Sequence, residues 1–144
     1  MKKISLFGLC LFLLSLTVFI SCSKDDDNNG NENGISKIIG KWQIKEVKIN
    51  GIVDDPTSDE GYFYPCDYQG WSLFKEDGTF DEYDACEDKN LPSGNWEINN
   101  HTLLITTKDF PTPIEIILVE VSDSILILKY LSEVEEVITY KRLD

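Results

Sequence analysis

The sequence predicts an all-β domain, an eight-stranded antiparallel up-and-down barrel that follows a disordered tether. From Ile35 onward, short runs of alternating apolar and polar residues are separated by turn signals every 8–12 residues. No segment after Cys22 repeats its apolar residues at the helical period. Consecutive strands with short connections favour a closed barrel, because closure removes unpaired sheet edges, and a two-sheet sandwich is the alternative.

The first predicted strand contains a β-bulge. Trp42 and Ile44 alternate with polar neighbours, and Val47 and Ile49 do the same, but the two pairs are out of phase by one residue. A slip of this kind inside an alternating run indicates one extra residue in the strand. The Asn-Gly pair at residues 50–51 then predicts a tight turn.

Seven further runs complete the predicted barrel. Two of the connections are predicted as three-residue hairpin loops, at residues 76–78 with Gly78 in the left-handed position, and at residues 99–101. Residues 122–123 join two runs that are rich in Ile, Leu and Val. The predicted strands are residues 71–75, 79–83, 94–98, 102–106, 114–121, 124–131 and 136–142.

Four short motifs resemble the lipocalin-like domains of bacterial lipoproteins. Gly-Lys-Trp at residues 40–42 opens the first strand, and Phe-Lys-Glu-Asp-Gly-Thr-Phe occupies residues 74–80. Gly-Asn-Trp at residues 94–96 and Asn-His-Thr-Leu-Leu at residues 100–104 follow. The resemblance covers residues 38–142. It implies a lipocalin-like barrel with Trp42 plugging one end, and it carries over no ligand-contacting residues.

Residues 1–21 resemble the signal peptide of a bacterial lipoprotein. Two lysines precede an uncharged apolar run over residues 4–20, and Phe-Ile-Ser directly before Cys22 resembles a lipobox. In lipoboxes the cysteine is diacylated, with palmitate-type chains, and the polypeptide is cleaved just before it. We therefore expect Cys22 to anchor the mature chain to a membrane without spanning it. The alternative is an ordinary secretory signal with an incidental cysteine.

Residues 22–34 form an acidic tether with no apolar residue after Cys22, so we expect this segment to be disordered. Its first residues resemble the signal that sends lipoproteins of one group of Gram-negative bacteria to the outer face of the outer membrane. A generic polar spacer is the alternative. The residues that carry this resemblance are Ser23, Lys24, Asp25, Asp26 and Asp27.

The domain predicted over residues 35–144 belongs to a strongly acidic chain. The sequence has 13 basic and 26 acidic residues and a net charge of −13. Such a charge argues against nucleic acid as a partner and favours a soluble, monomeric domain. The acids of residues 81–88 are interpreted as a solvated face. The Asp-Ser-Ile motif at Ser124 resembles an O-glycosylation site, but it is equally a good turn, so modification is left open.

Cys66 and Cys86 are predicted to form a disulfide. Both belong to the exported domain, where disulfides persist, and two cysteines allow one pairing. If Phe74 lies opposite Phe80 in the predicted hairpin, Cys66 and Cys86 are two residues from direct opposition. Ideal strands would hold them too far apart, so irregular strand ends must close the gap. Two free thiols are the alternative.

The sequence shows no catalytic constellation, so we expect a protein that is not an enzyme and needs no cofactor or metal. His101 is the only histidine and falls in a predicted turn, which leaves no Ser-His, Cys-His or multi-histidine site. Paired acids are abundant, but in so acidic a chain they are interpreted as surface residues.

Four aromatic residues in a long loop form the candidate binding site. Exposed aromatic residues in a loop can mark the mouth of a barrel that holds a small apolar ligand, which makes these four the candidate ligand-binding residues. The other interpretation, which the sequence favours slightly, is that they fold down and cap the core. A second hypothesis is an accessory or inhibitor protein, with a packed barrel and loops that contact a protein partner. The candidate residues are Tyr62, Phe63, Tyr64 and Tyr68.

Overall fold

One antiparallel sheet of ten strands closes on itself in the computed structural model, which describes residues 36–58 and 60–143. The predicted signal peptide, Cys22 and the tether lie outside the described residues. A helical turn at residues 36–38 precedes the sheet. The strands are β1 (Gly40–Ile49), β2 (Ile52–Val53), β3 (Trp71–Phe74), β4 (Thr79–Asp84), β5 (Lys89–Asn90), β6 (Gly94–Asn99), β7 (Thr102–Thr106), β8 (Ile114–Val121), β9 (Ile125–Leu131) and β10 (Glu135–Leu143).

Eight of these strands form the barrel wall in the order β1-β3-β4-β6-β7-β8-β9-β10, and β10 pairs back with β1 from Lys41↔Leu143 to Ile49↔Glu136. The eight predicted strands are all present, and the closed barrel is confirmed over the sandwich. The two-residue strands β2 and β5 are additions that the sequence did not predict. They pair with the last two residues of β1 and of β4, at one end of the barrel.

Local turn chemistry behaves largely as the sequence predicts. The register of β1 against β10 shifts between Ile44 and Glu46, which confirms the bulge. Asn50 and Gly51 have φ of 50° and 80°, the pair of positive values that a type I′ turn requires. Phe74 pairs with Phe80 across β3 and β4, as predicted from the three-residue loop.

Two details of the strands differ from the prediction. Asn99 pairs with Thr102, so the second hairpin loop has two residues instead of three. Asn100 adopts φ of 56°, and a tight turn of this kind matches the twist of the flanking strands. A further register shift, between Leu118 and Glu120, marks a bulge in β8 that the apolar run concealed.

Trp42 closes one end of the barrel and has no exposed surface. Its indole Nε1 donates a 2.7 Å hydrogen bond to the carbonyl of Ile38. The guanidinium of Arg142 lies 4.3 Å from the Trp42 ring centre and donates to the carbonyls of Lys37 and Ile39. Cation and ring therefore seal this end of the barrel and hold the entering chain against it.

A disulfide joins Cys66 and Cys86, with Cα atoms 5.0 Å apart, which confirms the predicted pairing. Neither cysteine belongs to a strand, since β3 begins after Cys66 and β4 ends before Cys86. Cys66 caps a 3-10 turn at Asp67–Gln69, and the Asp84 carboxylate accepts hydrogen bonds from the amides of Cys86 and Glu87. These two turns bring the cysteines together, so the irregularity that the pairing required is present.

Candidate functional site

The two ends of the barrel have different connections. The end near Trp42 has the short turns at residues 75–78, 100–101 and 122–124. The opposite end has the long connections at residues 54–70, 85–93 and 107–113. We call this second end the open end. Residues from two of these connections, Leu91 and Pro92 in one and Asp109 and Phe110 in the other, line a cavity at this end.

A cavity of about 390 Å³ runs from the open end into the barrel. Leu91 and Pro92 border its mouth on one side, and Phe110 and Ile114 border it on the other. Its volume lies in the usual range of ligand pockets, and apolar side chains form most of its walls. The interior is therefore not packed solid, in contrast to the packed core of the interaction hypothesis. Side chains deeper in the barrel complete the wall: Phe74, Phe80, Ile105, Ile116, Leu126 and Leu128.

A second cavity of about 300 Å³ lies beside the first, beneath the disulfide-bonded loop. Phe63 and Trp71 belong to its walls. The side chains common to both cavities are mainly polar, and they stand where the two spaces meet. These shared residues are Ser72, Glu82, Leu91, Tyr130 and Tyr140.

The shared polar side chains come from four strands and meet because of strand register. Ser72 of β3 lies directly opposite Glu82 of β4. The hydroxyls of Tyr130 and Tyr140, on β9 and β10, are 3.3 Å apart. Alternation along a strand places residues i and i+2 on one face, so Glu82 points inward with Phe80.

Burial governs the electrostatics of this group. Burial raises the pKa of Glu82, and the interaction with the Ser72 hydroxyl opposes this increase. Burial also raises the pKa of Glu136, which lines the second cavity. Burial also raises the pKa of Tyr130 to about 12 and that of Tyr140 well above its ordinary value. The interior thus disfavours charge on Glu82, and a carboxylate there is costly unless a partner compensates it.

Comparison with known proteins identifies the barrel. The family model of the lipocalin-like domain matches residues 38–128. The chain belongs to this lipocalin-like family. A solved lipocalin-like protein from Bacteroides uniformis has the same fold, with a TM-score of 0.51 and 14% sequence identity over 74% of this chain and 99% of that one. A search of curated proteins gave no significant match.

The four predicted aromatic residues divide into two pairs in this lipocalin-like domain. Tyr62 and Tyr64 are exposed at 66% and 71% of their surface. Phe63 and Tyr68 turn inward and pack against the cluster of Val47, Ile49 and Ile138, and Phe63 also lines the second cavity. Core capping therefore accounts for Phe63 and Tyr68. Ligand contact by these four residues stays a prediction. Phe63 is the one of the four that lines a cavity.

Sequence reasoning missed the polar residues of the lipocalin-like interior. The interpretation of residues 81–88 as a solvated face is wrong for Glu82, which lines both cavities. Its alternation with Phe80 was the available signal, but the many neighbouring acids obscured it. Ser72 carries the same signal, since it alternates with Phe74. The sequence around Tyr130 indicated only an apolar strand and did not mark this residue as part of a polar group in the interior.

The remaining polar residues do not form a second site in the described part of the lipocalin-like domain. His101 lies exposed in its turn, where its carbonyl accepts a hydrogen bond from the amide of Leu118. Residues 36–58 and 60–143 contain no group of three or more His, Cys, Asp or Glu side chains arranged to hold a metal. No helix within those residues has the length and apolar character needed to span a membrane.

Proposed function

We propose that this lipocalin-like domain binds one small ligand with an apolar body inside its barrel. It acts without catalysis, as the monomeric binding module of a lipoprotein anchored to the outer membrane. The observation that carries the proposal is the cavity of about 390 Å³ beneath Phe110. The outer-membrane location in this proposal rests on the predicted lipidation at Cys22 and on the predicted export signal over residues 23–27.

The cavity suits a ligand that is apolar along most of its length. Leu126 and Leu128 of β9 and Ile116 of β8 form a continuous aliphatic wall, and each is almost fully buried. A ligand gains about 0.8 kcal/mol for each methylene group that it transfers from water to such a wall. Ten buried methylenes would contribute about 8 kcal/mol, which is the free energy of micromolar binding before the cost of association is subtracted.

Filling the cavity should weaken ligand binding. We expect the chain from residue 22 with Cys22→Ala to enhance the fluorescence of the neutral apolar probe N-phenyl-1-naphthylamine saturably, at one probe per chain. Leu128→Trp puts an indole into the cavity and should weaken the probe at least tenfold. Leu131→Trp is the matched control, because Leu131 lies on the same strand with 67% of its surface exposed.

The outcome separates ligand binding from surface adsorption. Equal probe binding by the Leu128→Trp and Leu131→Trp variants would contradict the proposal, provided circular dichroism shows that both are folded. If Leu128→Trp does not fold, Ile116→Phe offers a smaller increase in volume at a position that also lines the cavity.

Anchoring depends on Cys22 in this proposal. We expect wild-type protein to incorporate a fatty-acid analogue during growth and to fractionate with the outer membrane, and Cys22→Ala to do neither. Added protease should cleave the domain on intact cells, and alanine at residues 24–27 should protect it. Equal labelling of wild type and Cys22→Ala would refute the lipid anchor, and protection of the wild type would refute surface display.

An interaction role has one observation in its favour. Apolar side chains are exposed together at the open end, among them Ile52 with 74% and Val53 with 55% of their surface exposed. Tyr62 lies in the same shallow groove as these two residues. Contact with a protein partner through this surface would be compatible with an occupied barrel, and it would survive Leu128→Trp, which fills only the interior.

A further inference from the structure

All the charged residues that line the two cavities are acidic. Asp109 borders the first cavity, Asp67, Asp84 and Glu136 border the second, and Glu82 lines both. Neither cavity has a Lys, Arg or His side chain in its described lining. The described ion pairs are formed elsewhere, for example between lysine and acid on β9 and β10. The described lining therefore places no cationic side chain in the cavities with Glu82, so a bound molecule can supply that charge.

Glu82 has acceptor capacity that its protein contacts do not use. An ionised carboxylate offers about four acceptor positions, and the hydroxyl of Ser72 can fill one of them. The hydroxyls of Tyr130 and Tyr140 lie within hydrogen-bonding distance of each other. Glu82 is half-buried, and a carboxylate partly withdrawn from water is costly without a cation, whereas pairing with a cation recovers much of that cost.

The surroundings of Glu82 also favour a cation. The rings of Phe74, Phe80, Tyr130 and Tyr140 line the same cavity, and aromatic faces attract ammonium groups. The chain carries a net charge of −13, which attracts cations and repels anions such as fatty-acid carboxylates. The carboxylate, the aromatic walls and the net charge all favour a positively charged ligand.

We infer that the ligand is an amphiphilic amine, with an apolar body in the cavity and an ammonium group against the Glu82 carboxylate. The inference rests on the proposed function, because it names the chemical class of molecule that the barrel binds. Glu82 is the residue that selects the ligand by charge, and the aliphatic wall of β8 and β9 supplies affinity for its body.

Three ligands of one chain length test the selection. Decylammonium, 1-decanol and decanoate differ only in the head group, and each can compete with N-phenyl-1-naphthylamine on the chain from residue 22 with Cys22→Ala at pH 7.5. We expect decylammonium to bind at least tenfold tighter than decanol, and decanoate to bind more weakly than decanol. Leu128→Trp should weaken all three, which excludes adsorption to the acidic surface.

The charge of Glu82 is tested by a nearly isosteric change. Glu82→Gln should lower the affinity for decylammonium at least tenfold while decanol binding stays within about threefold, which also reports that the cavity is intact. Glu97→Gln removes one charge from an exposed position on β6 and should preserve the preference. A preference that survives Glu82→Gln, or decanol and decylammonium binding equally to the wild type, would overturn the inference alone. Failure of all three ligands to bind would reject the proposed function with it.

Discussion

Replacing Trp42 by alanine should destabilise the barrel by about 3–5 kcal/mol, the range for removing a buried aromatic side chain. Trp42 is completely buried in the main core cluster. The substitution also removes the 2.7 Å hydrogen bond to the Ile38 carbonyl and the ring beneath the Arg142 guanidinium. The loss should appear as a lower midpoint of urea unfolding, and the turn at residues 36–38 should lose its attachment to the barrel.

Two further variants show which part of Trp42 matters. Trp42→Phe keeps most of the buried ring but no indole donor, so it should cost less than Trp42→Ala. Trp71→Ala is the matched control, since Trp71 is only partly buried, stacks on Tyr83 at 5.8 Å between ring centres and carries Lys41 over its face. Equal losses for Trp42→Ala and Trp71→Ala would show that Trp42 does not close the barrel.

Removing the disulfide should lower the free energy of unfolding by about 3 kcal/mol, the value that the chain-entropy model assigns to a loop of this length. The cysteines are separated by 20 positions. Replacing Cys66 and Cys86 together with serine avoids a free thiol. Denaturant unfolding of the double variant and of the reduced wild type should give the same loss.

The effect should be concentrated at the open end. The disulfide holds residues 54–70 against residues 85–93, and Phe63 of the first segment lines the second cavity. Amide hydrogen exchange should therefore accelerate in residues 62–70 while the amides of β9 and β10 stay protected at low denaturant. An unchanged unfolding midpoint, or acceleration spread evenly around the barrel, would contradict this role.

Much of the barrel could be predicted because its determinants are local. Asn50-Gly51 and Gly78 have the conformational freedom that their turns require, and the phase slip between Ile44 and Val47 reveals the bulge. Each feature needs only neighbouring residues to be recognised. The disulfide could be predicted for a related reason, since the register of one hairpin brings Cys66 close to Cys86.

The candidate site was harder to predict from the sequence because its residues come from strands that are far apart in the chain. Glu82 and Ser72 meet across one hairpin, but Tyr130 and Tyr140 reach them only when β10 closes the barrel on β1. Whether the interior is open or filled depends on side chains from eight strands together, and no single motif carries that information. The conformation of the loop at residues 54–70 also depends on residues that are not neighbours in the sequence. The Asp54 carboxylate accepts hydrogen bonds from the amides of Tyr62 and Phe63, eight and nine positions further along the chain.

A crystal structure of the chain from residue 22 with Cys22→Ala, grown with decylammonium, tests the central claim most directly. The predicted result is density for one ligand that enters beneath Phe110, follows the wall formed by Leu126 and Leu128, and ends with its nitrogen within hydrogen-bonding distance of Glu82. Side chains that fill the interior, with the amine bound only to the outer surface, would contradict it.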